Sequence, residues 1–294
     1  MRRFHLIEIH EQVWCPAVIR DCATDYLQYV IHATNAYEPI AERLKDAVAR
    51  TEATRIVDLC SGGGGPWLRL EQTLATCCPG LEIYLTDLYR NVSASQRLSF
   101  DSVGGRIKSY PDMVNALCVP PELAGFRTLF SSFHHFKPAE ARALLRDAVA
   151  SCSGIGIFEG TQRRPIVMLG MLLTPLLVWL ITPLIRPFRW ERLLWTYLLP
   201  VVPLVVLFDG IVSCLRTYTV KELVAFTAEL SGSGYEWEVG EARVQGLLSP
   251  VTYLIGYPAI AGTVAHLREV VKEIPHARPI SIAPPNSTRA ALSC

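Results

Sequence analysis

The sequence predicts an α/β fold, a doubly wound and mostly parallel sheet with helices on both faces. Three observations predict it. Short apolar, strand-type runs alternate with helical patterns from Arg55 to Gly160, the spacing of a parallel sheet. Four glycines stand at the first strand-to-helix junction, Gly62 to Gly65. The last two strand-type runs are joined by a short connection, which favours an antiparallel pair. The 294 residues are half hydrophobic and carry a formal net charge of +1. That length can bury a real core, and that charge gives no global basic field, so nucleic acid is not an expected partner.

Residues 1–50 read mostly as helices forming an N-terminal cap, with a break near Pro39. A core segment over residues 51–162 follows. "TRIVDLCS" is its first strand, and "GPWLRLEQTLATC" is a helix with Pro66 near its first position, where a missing N–H costs least. "LEIYLTDL" is the second strand, and "NVSASQRLSFDSV" is a helix that Asn91 or Ser93 can cap. "GGRIKSYPDM" is a weaker third strand, "FRTLFSSFHHF" a fourth and "GIGIFEG" a fifth, with the amphipathic "PAEARALLRDAVASC" between the last two. An apolar insertion occupies residues 163–218. The core resumes over residues 219–262 with "TVKELVAFTAELSG", for which Thr219 is the N-cap, then "YEWEVGEARV" and "VTYLIGYPAI". Residues 263–294 are proline-rich and polar and read as a largely disordered tail.

Nine cysteines are scattered, with a vicinal pair at Cys77-Cys78 and no Cys-x-x-Cys. No metal site is expected from them, and the odd count points to a reducing compartment. The opening "MRRFHLIEIHEQVWCP" has acids and a histidine where a signal peptide needs an apolar run, which argues against export.

A glycine loop between strand and helix lets backbone N–H groups approach a ligand closely. Asp58 ends the first strand and Asp87 the second. A carboxylate at the second position can accept hydrogen bonds from both ribose hydroxyls of a nucleotide-like cofactor. A dinucleotide loop wants G-x-G-x-x-G; Gly62 and Gly64 supply two glycines and Trp67 stands at the third. "CSGGGG" fits G-x-G-x-G at Gly62 and Gly64, with Cys60 at the first glycine, and Asn115-Ala116 in "VNALCVP" occupies the place of an Asp-Ala pair that brackets adenine. "LFSSFHHF" carries paired histidines near its end.

In this order the motifs resemble the class I S-adenosylmethionine-dependent methyltransferases, over residues 50–160 and 219–260. The resemblance implies a Rossmann-like methyltransferase sheet with S-adenosyl-L-methionine as cofactor. It implies a cofactor site made by Asp58, Cys60, Ser61, Gly62, Gly63, Gly64, Asp87, Leu88, Asn115, Ala116 and Ser131, with Asp58 near the methionine amine. Methyl transfer needs mainly alignment and exclusion of water. A base helps a hydroxyl or amine acceptor. His134 or His135, past the fourth strand, is a candidate; the other reading is that a histidine there packs under the cofactor or caps the next helix. Glu159 ends the fifth strand and either meets the acceptor or caps the following segment. Tyr26 and Tyr37 suit core packing.

Pro165–Ile185 is 21 residues without a charge, enough at about 1.5 Å per residue to cross a hydrocarbon core of about 30 Å. Leu193–Leu215 carries only Asp209, and "RPFRWER" lies between the two runs. A spanning hairpin would place Arg186, Arg189 and Arg192 on the far side, against the positive-inside tendency. The sequence therefore favours an interfacial or re-entrant hairpin with its arginines near phosphates. A two-span hairpin and a soluble lid stay open. Asp209 is either a functional acid or the partner of a nearby arginine.

The expected enzyme is membrane-associated, with its catalytic domain on the cytoplasmic side, membrane lipid as a partner and a lipophilic small molecule as acceptor. A nicotinamide-dependent oxidoreductase and a non-catalytic membrane-anchored scaffold are the rival readings.

Overall fold

The computed structural model describes residues 1–89, 91–246 and 249–259; the expected tail lies outside them. Seven strands form one sheet: β1 (Arg55–Asp58), β2 (Glu82–Leu85), β3 (Ile107–Ser109), β4 (Phe126–Phe130), β5 (Ile155–Glu159), β6 (Tyr235–Ala242) and β7 (Val251–Pro258). Their order is β3-β2-β1-β4-β5-β7-β6, with β7 antiparallel to both neighbours. The expected doubly wound sheet with a closing antiparallel pair is the observed one.

Strand alternation divides the core. Ile56, Ile83 and Ile255 face one side, under α2 (Ala41–Arg50) and α3 (Trp67–Ala75). Val57, Leu129 and Leu254 face the other, under α5 (Pro138–Ala150) and α10 (Val220–Ala228). Successive side chains point to opposite faces, so each strand serves both layers. α4 (Val92–Asp101) is capped by Asn91, whose side chain accepts from Ala94 N. Thr219 caps α10 in a reciprocal box with Glu222. The order reverses beside β1, where β2 pairs on one edge and β4 on the other. Ligands of open α/β sheets bind at such a switch point, outside the carboxyl ends of the strands.

The N-terminal cap is mostly helical and breaks at Glu38–Ile40, and it opens on an irregular stretch. Only α1 (Ala17–Thr34) and α2 are regular helices there; residues 1–16 form an irregular arm. The arm's polar groups are spent on long-range contacts. Arg3 donates to the carbonyls of His134 and Phe136 at 3.0 Å, and Phe4 N donates to Leu215 O. Pro16 then starts α1.

The insertion is a bent helical layer: α6 (Pro165–Met171), α7 (Thr174–Ile181), α8 (Trp190–Leu193) and α9 (Val201–Arg216). No single helix among the described residues is long and apolar enough to cross a membrane; two pairs, bent by 42° and 77°, reach the length together. Prolines near the helix starts make the breaks. One face packs on α1, through Val178, Val202, Val205 and Val206 against Ile19, Cys22 and Tyr26. Arg192 does not reach outward as expected. It is buried against Asp25 of α1, which also meets Arg97 and Arg189. Among the described residues Asp209 pairs with no arginine: its carboxylate accepts from Ile9 N at 2.7 Å and His10 N at 3.1 Å and meets His10 Nδ1 at 2.9 Å, holding the arm.

Candidate functional site

A cavity of about 400 Å³ lies at the carboxyl ends of β1, β2 and β4, under α1 and the arm. Its floor is the loop after β1. The loop leaves the strand through left-handed residues, with φ +57° at Cys60, +53° at Gly62, +89° at Gly64 and +46° at Gly65. Cys60 and, after β4, Ser131 (φ +45°) are non-glycine residues held in that region. Backbone strain of this kind collects at ligand sites.

Two acids define one end. Asp87 Oδ2 accepts from Gly62 N and Oδ1 from Tyr89 N, both at 2.7 Å. Burial raises the Asp87 carboxyl, and these amides oppose the rise. Asp58 lies one strand over. Burial pushes it up to about 6, against the pull of the Thr128 hydroxyl, which donates to Oδ1 at 2.7 Å. Asn115 and Ala116 line the same cavity, and the Asn115 side-chain oxygen accepts from Leu117 N. Trp67 lies under the loop, fully buried and edge-on to Phe130 at 5.3 Å, and leaves the cavity clear.

Of the residues singled out for the cofactor, Asp58, Cys60, Ser61, Gly62, Gly63, Asp87, Leu88, Asn115, Ala116 and Ser131 all line the cavity. Gly64 does not. A Cβ there would lie 1.8 Å from Leu98 Cδ1, so this glycine lets α4 approach the loop. Gly65, the fourth of the run, takes the lining position. A Cβ on Gly63 would lie 3.2 Å from the Thr24 carbonyl, so α1 passes close over the loop. Tyr37 does more than fill the core. Its hydroxyl meets Ser131 Oγ at 2.7 Å, and Gly160 N donates to the same atom.

The expected catalytic trio separates. Only His135 lines the cavity. His134 is turned beneath it, with Nδ1 2.7 Å from Glu159 Oε2, and its amide donates to Glu159 Oε1. Both side chains are nearly sealed from solvent, so neither His134 nor Glu159 meets a ligand in the cavity. The cause is the short helical turn at Phe133–His135, which sends consecutive histidines in different directions. His10, Glu11, Arg20, Thr24, Gln28 and Phe136 also line the cavity and were missed. They come from the arm, from α1 and from beside the histidine pair; apart from Phe136, which closes "LFSSFHHF", no motif marks them. A wider groove of about 810 Å³ adjoins the cavity at Gln28 and Gly65 and runs to Leu184–Pro187 of the insertion.

No sequence-family model and no curated protein matches the chain. Among solved structures, it is similar to human N-acetylserotonin methyltransferase in complex with S-adenosylmethionine, at 16% identity over 79% of this chain and 55% of that one, with a TM-score of 0.43. It is similar to the methyltransferase domain of bacterial CtHen1, at 13% identity over 76% of this chain and 99% of that domain, TM-score 0.46. The pyocyanin biosynthetic protein PhzM gives 17% identity over 78% and 56%, TM-score 0.45. The chain thus spans little more than half the length of the first and third of these. Overlaps at this level carry no argument about chemistry, which rests on the cavity.

Proposed function

We propose that the chain is an S-adenosyl-L-methionine-dependent methyltransferase working at a membrane surface on a lipophilic acceptor. The observation that carries the reading is the pairing of Asp87 with the glycine loop at the mouth of β1, with Asp58 one strand away. The cradle fits the cofactor: a carboxylate with free lone pairs for ribose hydroxyls, a second for an ammonium, and a floor without side chains at Gly62, Gly63 and Gly65. When bound, the sulfonium supplies the transferable methyl. The chain's own work is to bind, orient and exclude water. Asp87 and the amides fix the loop, Asn115-Ala116 border one side, and α1 with the arm closes the top. His135 is the predicted catalytic residue positioned to meet an acceptor.

Membrane association is supported by the outer face of the insertion. Leu173, Leu176, Trp179, Leu180, Leu184 and Trp190 are all more than half exposed. An exposed apolar face of this kind marks an interaction site, and its tryptophans suit a bilayer interface. The groove reaching Leu184–Pro187 gives an apolar acceptor a route from that face to the cavity.

Calorimetric titration of the purified chain with S-adenosylhomocysteine and with NADH tests the first part. Heat with the former and none with NADH is expected; the reverse assigns a nicotinamide enzyme and overturns the proposal. No binding of either, with Asp87→Ala neutral in cells, identifies a scaffold.

A further inference from the structure

We propose that Glu8 of the arm and His134 and His135 of the turn after β4 bind one divalent transition-metal ion, which staples the arm over the cavity. The ligand atoms of the three residues lie within 4.8 Å of one another. Glu8 Oε2, His134 Nε2 and His135 Nδ1 are all buried, and among the described residues none of the three has a partner in hydrogen-bond geometry, although Glu11 touches His135 Nδ1. Glu8 is fully buried and His134 nearly so.

The spacing argues for an ion between them. His134 Nε2 stands 3.4 Å from Glu8 Oε1, and His135 Nδ1 stands 3.7 Å from Glu8 Oε2. A charged imidazolium–carboxylate hydrogen bond closes to about 2.8 Å. Ligands at about 2.1 Å from a tetrahedral zinc stand about 3.4 Å apart. The support around the ligands fits too. His134 turns Nε2 toward Glu8 because Nδ1 is held by Glu159 at 2.7 Å, the carboxylate–histidine arrangement that orients metal-bound imidazoles. Glu11 meets His135 Nδ1, and its two oxygens accept from the Arg216 guanidinium, so on binding an ion His135 Nδ1 exchanges Glu11 for it.

Charge points the same way. Glu8, Glu11, Glu159 and Asp209 surround the cluster, and Arg216, buried against Glu8 and Glu11, is the guanidinium among them. Arg3 lies near and spends its guanidinium on backbone carbonyls. His10 Nδ1 lies 2.9 Å from Asp209 Oδ2 and 3.6 Å from Glu8 Oε2, and when protonated it neutralises one carboxylate. With the imidazoles of His10, His134 and His135 neutral, four carboxylates face two guanidinium groups, and a divalent ion closes the difference. Nitrogen and carboxylate donors suit zinc, manganese, iron or cobalt in preference to calcium. Protons are the rival occupants: burial disfavours an imidazolium at His134, and the Glu159 and Glu8 carboxylates outweigh it, raising the group to about 10.

The test uses the full chain, with any affinity tag removed, stripped by chelator and titrated with cobalt(II). Expected are visible ligand-field bands that saturate at one equivalent and a chelator-reversible rise in the melting temperature. Glu8→Gln and His134→Ala, each confirmed as folded by circular dichroism, should lose the bands. Glu159→Gln should weaken cobalt affinity about 10- to 100-fold while leaving the spectrum's shape. Absence of bands and of any thermal shift in the unaltered chain overturns the proposal and leaves the histidines to protons. Bands that persist in Glu8→Gln overturn it as well. None of these readouts depends on the methyl donor.

Discussion

The Asp87 carboxylate accepts the Gly62 amide at 2.7 Å, so the acid just past β2 holds the loop after β1 before any ligand arrives. One interaction therefore serves two purposes, loop order and ligand recognition. Asp87→Ala is expected to weaken S-adenosylhomocysteine binding at least 30-fold, about 2 kcal/mol for a lost charged hydrogen bond and a loosened loop. Asp87→Asn can still accept from one amide, so it should lose less. Calorimetry on both variants checks the order.

Neighbouring glycines should fail in different ways. Gly64→Ala drives a methyl into Leu98 at a φ of +89° and is expected to cost about 2–4 kcal/mol of stability. Gly63→Ala puts its methyl in the gap under α1, 3.2 Å from the Thr24 carbonyl. It should reduce donor affinity with a smaller loss of stability. Urea denaturation and calorimetry on the pair separate the two effects.

Donor affinity should fall in acid. Asp58 is raised by burial from 3.8 to about 6, so the empty folded chain holds a proton there that the unfolded chain releases at lower pH. Its contribution to stability is full below pH 3.8 and is lost as pH rises through about 6. Asp58→Asn should therefore stabilise the empty chain at pH 7.5, by roughly 1–3 kcal/mol. An ammonium-bearing donor needs the ionised form, so affinity in the unaltered chain should drop as pH falls through about 6. Asp58→Asn should bind weakly at all pH values and lack the step. Asp87 is also raised by burial, and comparison with Asp58→Asn isolates the Asp58 share. A step that survives in Asp58→Asn would assign it elsewhere.

The chain should sediment with phospholipid vesicles. Trp179→Glu combined with Leu180→Glu, both on the exposed face, should abolish sedimentation and leave donor affinity within about twofold, because neither residue touches the cavity. Sedimentation unchanged by both charges would place the contact on another surface.

Asp25 holds Arg192 of the insertion to α1 inside the protein. Asp25→Ala leaves that guanidinium buried without its carboxylate and should cost about 3–5 kcal/mol. The companion change Arg192→Leu should recover part of the loss, as read by thermal unfolding of the single and double variants.

The sequence by itself determined the sheet and its punctuation. Period-two runs, the Thr219–Glu222 box and Asn91 before α4 are local signals, and local signals survive folding. Asp58 and Asp87 were legible for the same reason: one closes β1 and the other follows β2 by two residues, and the carboxyl ends of parallel strands share one edge. Only the tertiary structure decided that Gly64 serves Leu98 and Gly65 the cavity, that His135 faces the ligand space while His134 turns to Glu159, and that Glu8, Glu11 and Asp209 draw the arm over the site. Those outcomes depend on pairs far apart in the chain, brought together by burial and charge neutralisation, and no spacing within a short stretch encodes them.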